Sequence, residues 1–197
     1  MNWQTATLPA ALYDYAVQNP VLSRLGARTL WNYDITHLRE SIAAQDPTAL
    51  TLDIPCGGGL AITYNPRHVA ADLSQTMLKR ARRKTRTLLQ TDIYALPFGP
   101  ATFDAVLTYN GLHCLEDPAL AITELTRVLR PGGTLRGTTV TRGTSRRHDA
   151  LITLMQRRGL FGSPGTLTDL RTWLTTAGLT DIALTPSGAV TGFTARK

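Results

Sequence analysis

Three acidic residues stand at the ends of apolar runs, and the first of them opens a glycine turn. Asp53 lies in Leu52-Asp53-Ile54-Pro55-Cys56-Gly57-Gly58-Gly59, after the apolar start of Ala49-Leu50-Thr51-Leu52. Asp72 comes 19 residues later and closes Val69-Ala70-Ala71, while Asp92 closes Leu88-Leu89-Gln90-Thr91. Without side chains, Gly57 and Gly59 let a bulky ligand approach the main chain and allow positive φ in the turn. A strand, a glycine-rich turn and a helix start together make a place where a ligand touches backbone N–H groups. An acid ending the second strand, about 20 residues after the first, is placed to accept hydrogen bonds from ribose hydroxyls. The implied chemistry is recognition of a nucleotide-type ligand by three acids facing one crevice. The dinucleotide fingerprint itself fails, because Ile62 stands where its third glycine belongs. The competing reading is a plain tight turn, with Asp72 and Asp92 capping turns.

An α/β sheet has the elements to hold these acids. Phe103 to Tyr109 reads as a fourth strand, a continuous apolar run suited to a central parallel position. Asp117-Pro118 reads as a helix start, with aspartate as cap and proline first in the helix. Ala121, Ile122, Leu125, Val128 and Leu129 then share one helical face, and Pro131-Gly132-Gly133 stops the helix before a fifth strand over 134–140. Arg142, Arg146, Arg147 and His148 lead into Leu151, Leu154 and Met155, a short helix ending at Gly159. Thr168 is placed to cap a helix carrying Leu170, Trp173, Leu174 and Ala177, with Gly178 past its end. Strands over 181–185 and 190–195 are joined through Pro186-Ser187-Gly188. Residues 1–45 read as helical pieces, with Pro9 and Pro20 in first turns and Thr36 capping a helix to about Ala44. Only 12 residues separate Gly59 from Asp72, and Asn65-Pro66 interrupts them, so the helix after the glycine turn is expected to be barely more than one turn.

The acids and glycines belong to a longer pattern. Asp92-Ile93-Tyr94-Ala95-Leu96-Pro97-Phe98 is followed by Ala101-Thr102-Phe103-Asp104-Ala105-Val106, by Asn110-Gly111-Leu112-His113, and by Glu124 to Gly133. Together with the turn at Asp53–Gly59 and with Asp72-Leu73-Ser74, this resembles the class I S-adenosylmethionine-dependent methyltransferases. The similarity is to the small-molecule branch that includes the ubiquinone and menaquinone C-methyltransferases, and it covers about residues 48–141. It implies an α/β fold: a doubly wound, Rossmann-like, seven-stranded, mostly parallel sheet with an antiparallel last strand and an N-terminal helical cap. It implies a single methyltransferase domain over 1–197, with 1–45 as cap, 46–197 as cofactor-binding core and 142–165 as candidate lid. The implied cofactor is S-adenosyl-L-methionine, leaving as S-adenosyl-L-homocysteine. The implied contacts come from Tyr13, Asp53, Pro55, Cys56, Gly57, Gly59, Asp72, Leu73, Met77, Asp92, Ile93, Tyr109 and Asn110. The family's turn usually has glycine where this chain has Pro55, so one backbone donor is absent there.

Composition bounds the alternatives. The 197 residues are 43% hydrophobic and 18% charged, a globular balance. The two cysteines, Cys56 and Cys114, lack metal-ligand spacing; no metal is expected, and a reducing compartment is the default. No stretch approaches the roughly 18 apolar residues of a membrane span. The start lacks a basic stretch leading into an apolar run, so a cytoplasmic protein is expected. The net charge of +7 favours an anionic partner, but six of the 21 basic residues cluster between Lys79 and Arg86 without interleaved aromatics. That stripe reads as the solvated face of the helix after Asp72.

The resemblance implies in-line methyl transfer to a small acceptor. The protein then has to align nucleophile and methyl group and exclude water, with a general base only where the acceptor must lose a proton. His113 is the best-placed candidate base and His148 a weaker one, while His37 and His68 lie away from the expected crevice. Residues 1–35 and 142–165 are expected to wall the acceptor pocket, with Tyr13, Tyr15, Leu22 and Trp31 on one flank and His148, Leu151, Met155 and Phe161 on the other. Arg142, Arg146 and Arg147 are either solvated or select an anionic acceptor. The competing functions are nucleic-acid methylation and cofactor binding without transfer. Against the first, Tyr109-Asn110-Gly111-Leu112 lacks the prolines common in exocyclic-nitrogen methylation of bases.

Overall fold

The computed structural model describes residues 19–197 apart from Tyr64 and Arg86. The expectations for Pro9, Tyr13, Tyr15, the Leu22 side chain and Arg86 lie outside the described residues. One sheet contains β1 Thr51–Asp53, β2 His68–Asp72, β3 Leu88–Gln90, β4 Phe103–Tyr109, β5 Leu129–Val140, β6 Thr180–Ser187 and β7 Val190–Arg196. Their order is β3-β2-β1-β4-β5-β7-β6. β1 to β5 pair in parallel, and only β7 runs against its neighbours. The seven-stranded doubly wound sheet read from the sequence is therefore present. The strand order turns outward between β1 and β4, the switch point beside which such sheets bind ligands.

Among the described residues the helices are α1 Pro20–Trp31, α2 Thr36–Ala43, α3 Gln75–Ala81, α4 Pro118–Val128, α5 Arg146–Arg157 and α6 Leu167–Thr176, with a 3₁₀ turn at Leu112–Cys114. Alternate β4 side chains explain why that strand is apolar throughout. Val106 packs with Leu52, Leu125, Leu129, Leu170 and Leu174 on one face; Leu107 and Tyr109 pack with Leu38, Val140 and Ile152 on the other. Truncating one such leucine to alanine costs about 2–5 kcal/mol.

Local chemistry sets several boundaries differently from the sequence reading. Asp117 caps α4 through Leu120 N–H with Pro118 next, as expected. However, α4 ends at Val128, and Leu129 already pairs with Phe103 in β5; Pro131-Gly132-Gly133 is a bulge inside that strand, with Gly132 at φ +75°. At α6 the cap is Thr166, not Thr168, because Asp169 returns the hydrogen bond in a reciprocal capping box. Thr36 is helical rather than a cap, its N–H donating to Asp34 Oδ1 at 2.9 Å. No helix follows the glycine turn: residues 54–61 form successive turns, and Asn65 ends them by donating to Ala49 O at 2.8 Å. Pro186 lies within β6 rather than in the turn, which an edge strand tolerates.

Candidate active site

Short backbone bonds tie the glycine turn after β1 to β4, to β2 and to itself. Ile54 N–H donates to Leu107 O at 2.9 Å, Cys56 N–H to Ala71 O at 2.8 Å, and Gly59 N–H to Cys56 O at 2.9 Å. Gly57 sits at φ +52°, and no atom lies within 4 Å of where a Cβ would be. Its main chain is thus open to a ligand. Below it, Asp72 ends β2 and is only 7% exposed. Gly57 N–H donates to Oδ2 and Ser74 N–H to Oδ1, both at 2.8 Å. Burial pushes this carboxyl up to about 6, against the downward pull of those two amides. Each oxygen keeps accepting capacity beyond its backbone donor, as two vicinal hydroxyls require.

A cavity of about 780 Å³ opens at the carboxyl ends of β1, β2 and β4. Pro55, Cys56 and Gly57 line it from the turn, Asp72, Leu73 and Met77 from the end of β2 and from α3, and Asp92 and Ile93 from beyond β3. Tyr109 at the end of β4, Asn110 just past it and His113 in the 3₁₀ turn close it from the other side. These sequence-predicted residues are brought together. Asp92 is two residues past β3, with Oδ1 accepting from Tyr94 N–H at 3.0 Å. Asn110 takes φ +56°, and its Oδ1 accepts from Thr138 Oγ1 at 2.9 Å. Desolvation holds the cavity thiols protonated, Cys114 pushed up to about 12 and Cys56 higher still.

Asp53 and Gly59 are not brought to the cavity. β1 turns Leu52 and Ile54 into one core, and Asp53 points to the opposite face, where it is 1% exposed. There its Oδ2 lies 3.5 Å from Nε2 of the equally buried His68. Burial pushes the Asp53 carboxyl up, with His68 and Lys84 opposing the shift. His148 also misses the cavity lining; it is buried in the first turn of α5, with Nδ1 3.0 Å from Thr144 Oγ1.

His113 is 4% exposed, and its Nδ1 accepts the Val140 N–H at 3.2 Å. Burial pushes its pKa down to about 4, so the ring is neutral and carries its proton on Nε2. Phe161 packs edge-on against it at 4.5 Å between centroids and stacks on Trp31 at 5.8 Å. The segment after α5 is strapped down beside them: Gly162 N–H donates to His113 O at 3.1 Å and Ser163 N–H to Leu115 O at 2.7 Å. Of the arginines expected to be solvated or to face an anion, Arg146 and Arg147 are exposed, while Arg142 is half-buried and braces this wall. Arg142 donates to Gln156 Oε1, and Gln156 Nε2 donates to Gly162 O at 2.6 Å. Arg147 ties α5 to α1 through Thr29 O at 2.6 Å.

Sequence reasoning missed four supporting residues. Ser74 caps α3 and donates to Asp72; Ser41 shares a 2.8 Å hydrogen bond with the Tyr109 hydroxyl. Gly111 has no room for a Cβ against the Pro55 ring, nor Gly162 against the Leu115 carbonyl. Only Ser74, three residues before Met77 at a helix start, carried a readable signal.

Residues 52–136 match a family model described as a methyltransferase domain. The chain is 32% identical over 137 residues to a ubiquinone/menaquinone biosynthesis C-methyltransferase of Enterobacter sp. (strain 638), covering 64% of this chain and 53% of that protein. It is 37% identical over 101 residues to an uncharacterized 37.1 kDa protein of a Streptomyces fradiae transposon, covering 45% of this chain and 29% of that protein. The chain therefore spans about half or less of the length of these curated relatives. Among solved structures it resembles an S-adenosylmethionine-dependent methyltransferase of Thermotoga maritima, described as a possible histamine N-methyltransferase. That likeness has a TM-score of 0.71 and 16% identity, over 94% of this chain and 98% of the other. The fold is that of the S-adenosylmethionine-dependent methyltransferases. The methyltransferase-domain match over residues 52–136 agrees with the resemblance read from the motifs.

Proposed function

We propose that the chain transfers the methyl group of S-adenosylmethionine to a small, partly aromatic metabolite by in-line displacement. The carrying observation is Asp72: a buried carboxylate under an open glycine turn at the switch point, each oxygen holding one backbone donor at 2.8 Å. Two ribose hydroxyls complete that acceptor pair, and the space over Gly57 admits the rest of the cofactor. The cofactor supplies an already electrophilic methyl group. The chain's own residues then bind, orient and keep water out.

His113 is assigned here as a neutral Nε2–H donor lining the acceptor end, not as a base, since its Nδ1 is already used by Val140 N–H. An acceptor oxygen can take that hydrogen bond. Trp31, Phe161 and His113 form successive aromatic surfaces at this end, which supports 1–45 as cap and 142–165 as lid over one domain. A cavity of about 780 Å³ is within the small-ligand range of roughly 300–1,000 Å³. The name of the Enterobacter relative supports carbon as the atom methylated.

The test separates binding from transfer. Calorimetry with S-adenosylmethionine, followed by an assay for S-adenosylhomocysteine release on small-molecule and nucleic-acid fractions, should give binding and release on the small-molecule fraction alone. Binding without release on either would leave a cofactor-binding protein; release on nucleic acid alone would replace the acceptor class.

A further inference from the structure

The basic stripe after Asp72 does not behave as one solvated face. α3 ends at Ala81, and the chain turns back through Arg82 and Arg83, with Lys84 N–H donating to Ala81 O at 2.8 Å. After this reversal the Lys84 side chain lies over the far end of the glycine turn. Its Nζ donates to Gly59 O at 2.8 Å, and its Cδ lies 3.4 Å from where a Gly59 Cβ would stand. Stem and head thus both rest on Gly59, a residue at φ +82° that no side-chain-bearing residue replaces without strain.

Gly59 O has one other donor, Ile62 N–H, at a long 3.4 Å. No helix follows the turn to hold that carbonyl in a repeating ladder. The ammonium also opposes the upward shift of the Asp53 carboxyl buried behind the turn. One cation therefore serves two features of the same loop: an under-supported carbonyl outside and a buried carboxyl inside.

We infer that Lys84 is a positioning residue for the cofactor turn, pinning Gly59 so that the Gly57 amide stays on Asp72 and its open face stays toward the ligand. The inference rests on the cofactor reading above. Lys84 touches neither the cavity nor the ligand and acts only through the loop. A charge-assisted bond to a carbonyl is stronger than a neutral one, but this side chain is largely exposed, which limits the effect.

The test is calorimetric titration of the full chain with S-adenosylhomocysteine. Lys84→Met keeps the stem and removes the donor; it should weaken binding about five- to tenfold while leaving ligand-free melting unchanged. Lys84→Arg should restore affinity to within about twofold of wild type. Arg83→Met, which removes an adjacent charge, should bind like wild type. The inference is overturned if Lys84→Met binds normally, if Arg83→Met weakens binding equally, or if the Lys84→Met loss tracks a fall in ligand-free melting. Failure of the wild type to bind would instead overturn the cofactor reading, and this inference with it.

Discussion

The Gly57 amide donates to Asp72 Oδ2 at 2.8 Å, so the glycine turn after β1 and the acid ending β2 are one device rather than two motifs. The turn orients the carboxylate, and the carboxylate holds the turn open.

Asp72 should therefore make cofactor affinity pH-dependent. Its carboxyl is raised to about 6 in the free protein, and ribose hydroxyls hydrogen-bond best to its ionised form. Affinity for S-adenosylhomocysteine should be level above about pH 7 and fall as pH drops through 6. Asp72→Asn should lower affinity at pH 7.5 by roughly 1–3 kcal/mol and flatten the profile. Titrations of both proteins across this range check it; a wild-type profile that rises toward acid would contradict it.

His113 should act on stability with a defined sign. Its pKa is depressed from 6.5 to about 4, so the stability it contributes is present above 6.5 and is lost as pH falls toward 4. The scale is about 3 kcal/mol. Asp72 has the opposite sense: its raised carboxyl adds stability at low pH that is lost as pH rises through 6. Urea unfolding is therefore best compared in an Asp72→Asn background. There His113→Asn, which keeps an acceptor for Val140 N–H, should lose less stability between pH 7 and 4 than the His113 parent. Equal losses would show that His113 is not buried neutral.

Gly162→Ala should separate acceptor handling from cofactor binding. The added methyl would meet the Leu115 carbonyl and push the strap off His113, moving Phe161 with it. Stability should fall by about 1–3 kcal/mol, and S-adenosylhomocysteine affinity should change little. Turnover on any acceptor that the wild type methylates should drop at least about tenfold. Full turnover would remove the 159–163 segment from the pocket wall.

Apart from Lys84, the basic stripe should be inert. A triple Lys79→Gln, Arg82→Gln, Arg83→Gln variant should methylate at the wild-type rate at low and high salt. A loss that is largest at low salt and closes as added salt weakens the wild type would point to an anionic polymer on this face.

The parallel sheet with its antiparallel last strand followed from the motif resemblance, and most of the crevice was legible because the acids end successive apolar runs, and strand ends at a switch point converge whatever the loops do. Asp53 was misplaced because position along a strand does not reveal which face a side chain takes. Its neighbours Leu52 and Ile54 enter the core with α4, which forces Asp53 to the other side. The cap of α6 was readable in Thr166-Leu167-Thr168-Asp169, where the reciprocal acid fits Thr166 and not Thr168. Lys84 and Arg142 were not readable. Each looks like part of a charge run, and its role depends on where a distant backbone carbonyl or a glutamine one helix away comes to rest.

The most direct measurement is mass spectrometry of a small-molecule extract incubated with the wild-type protein and isotopically labelled S-adenosylmethionine. The account predicts one or a few compact, aromatic compounds gaining a labelled methyl group in step with S-adenosylhomocysteine release, both sharply reduced by Asp72→Ala at subsaturating cofactor. Label found only in nucleic acid, or tight cofactor binding with no labelled product, would contradict it.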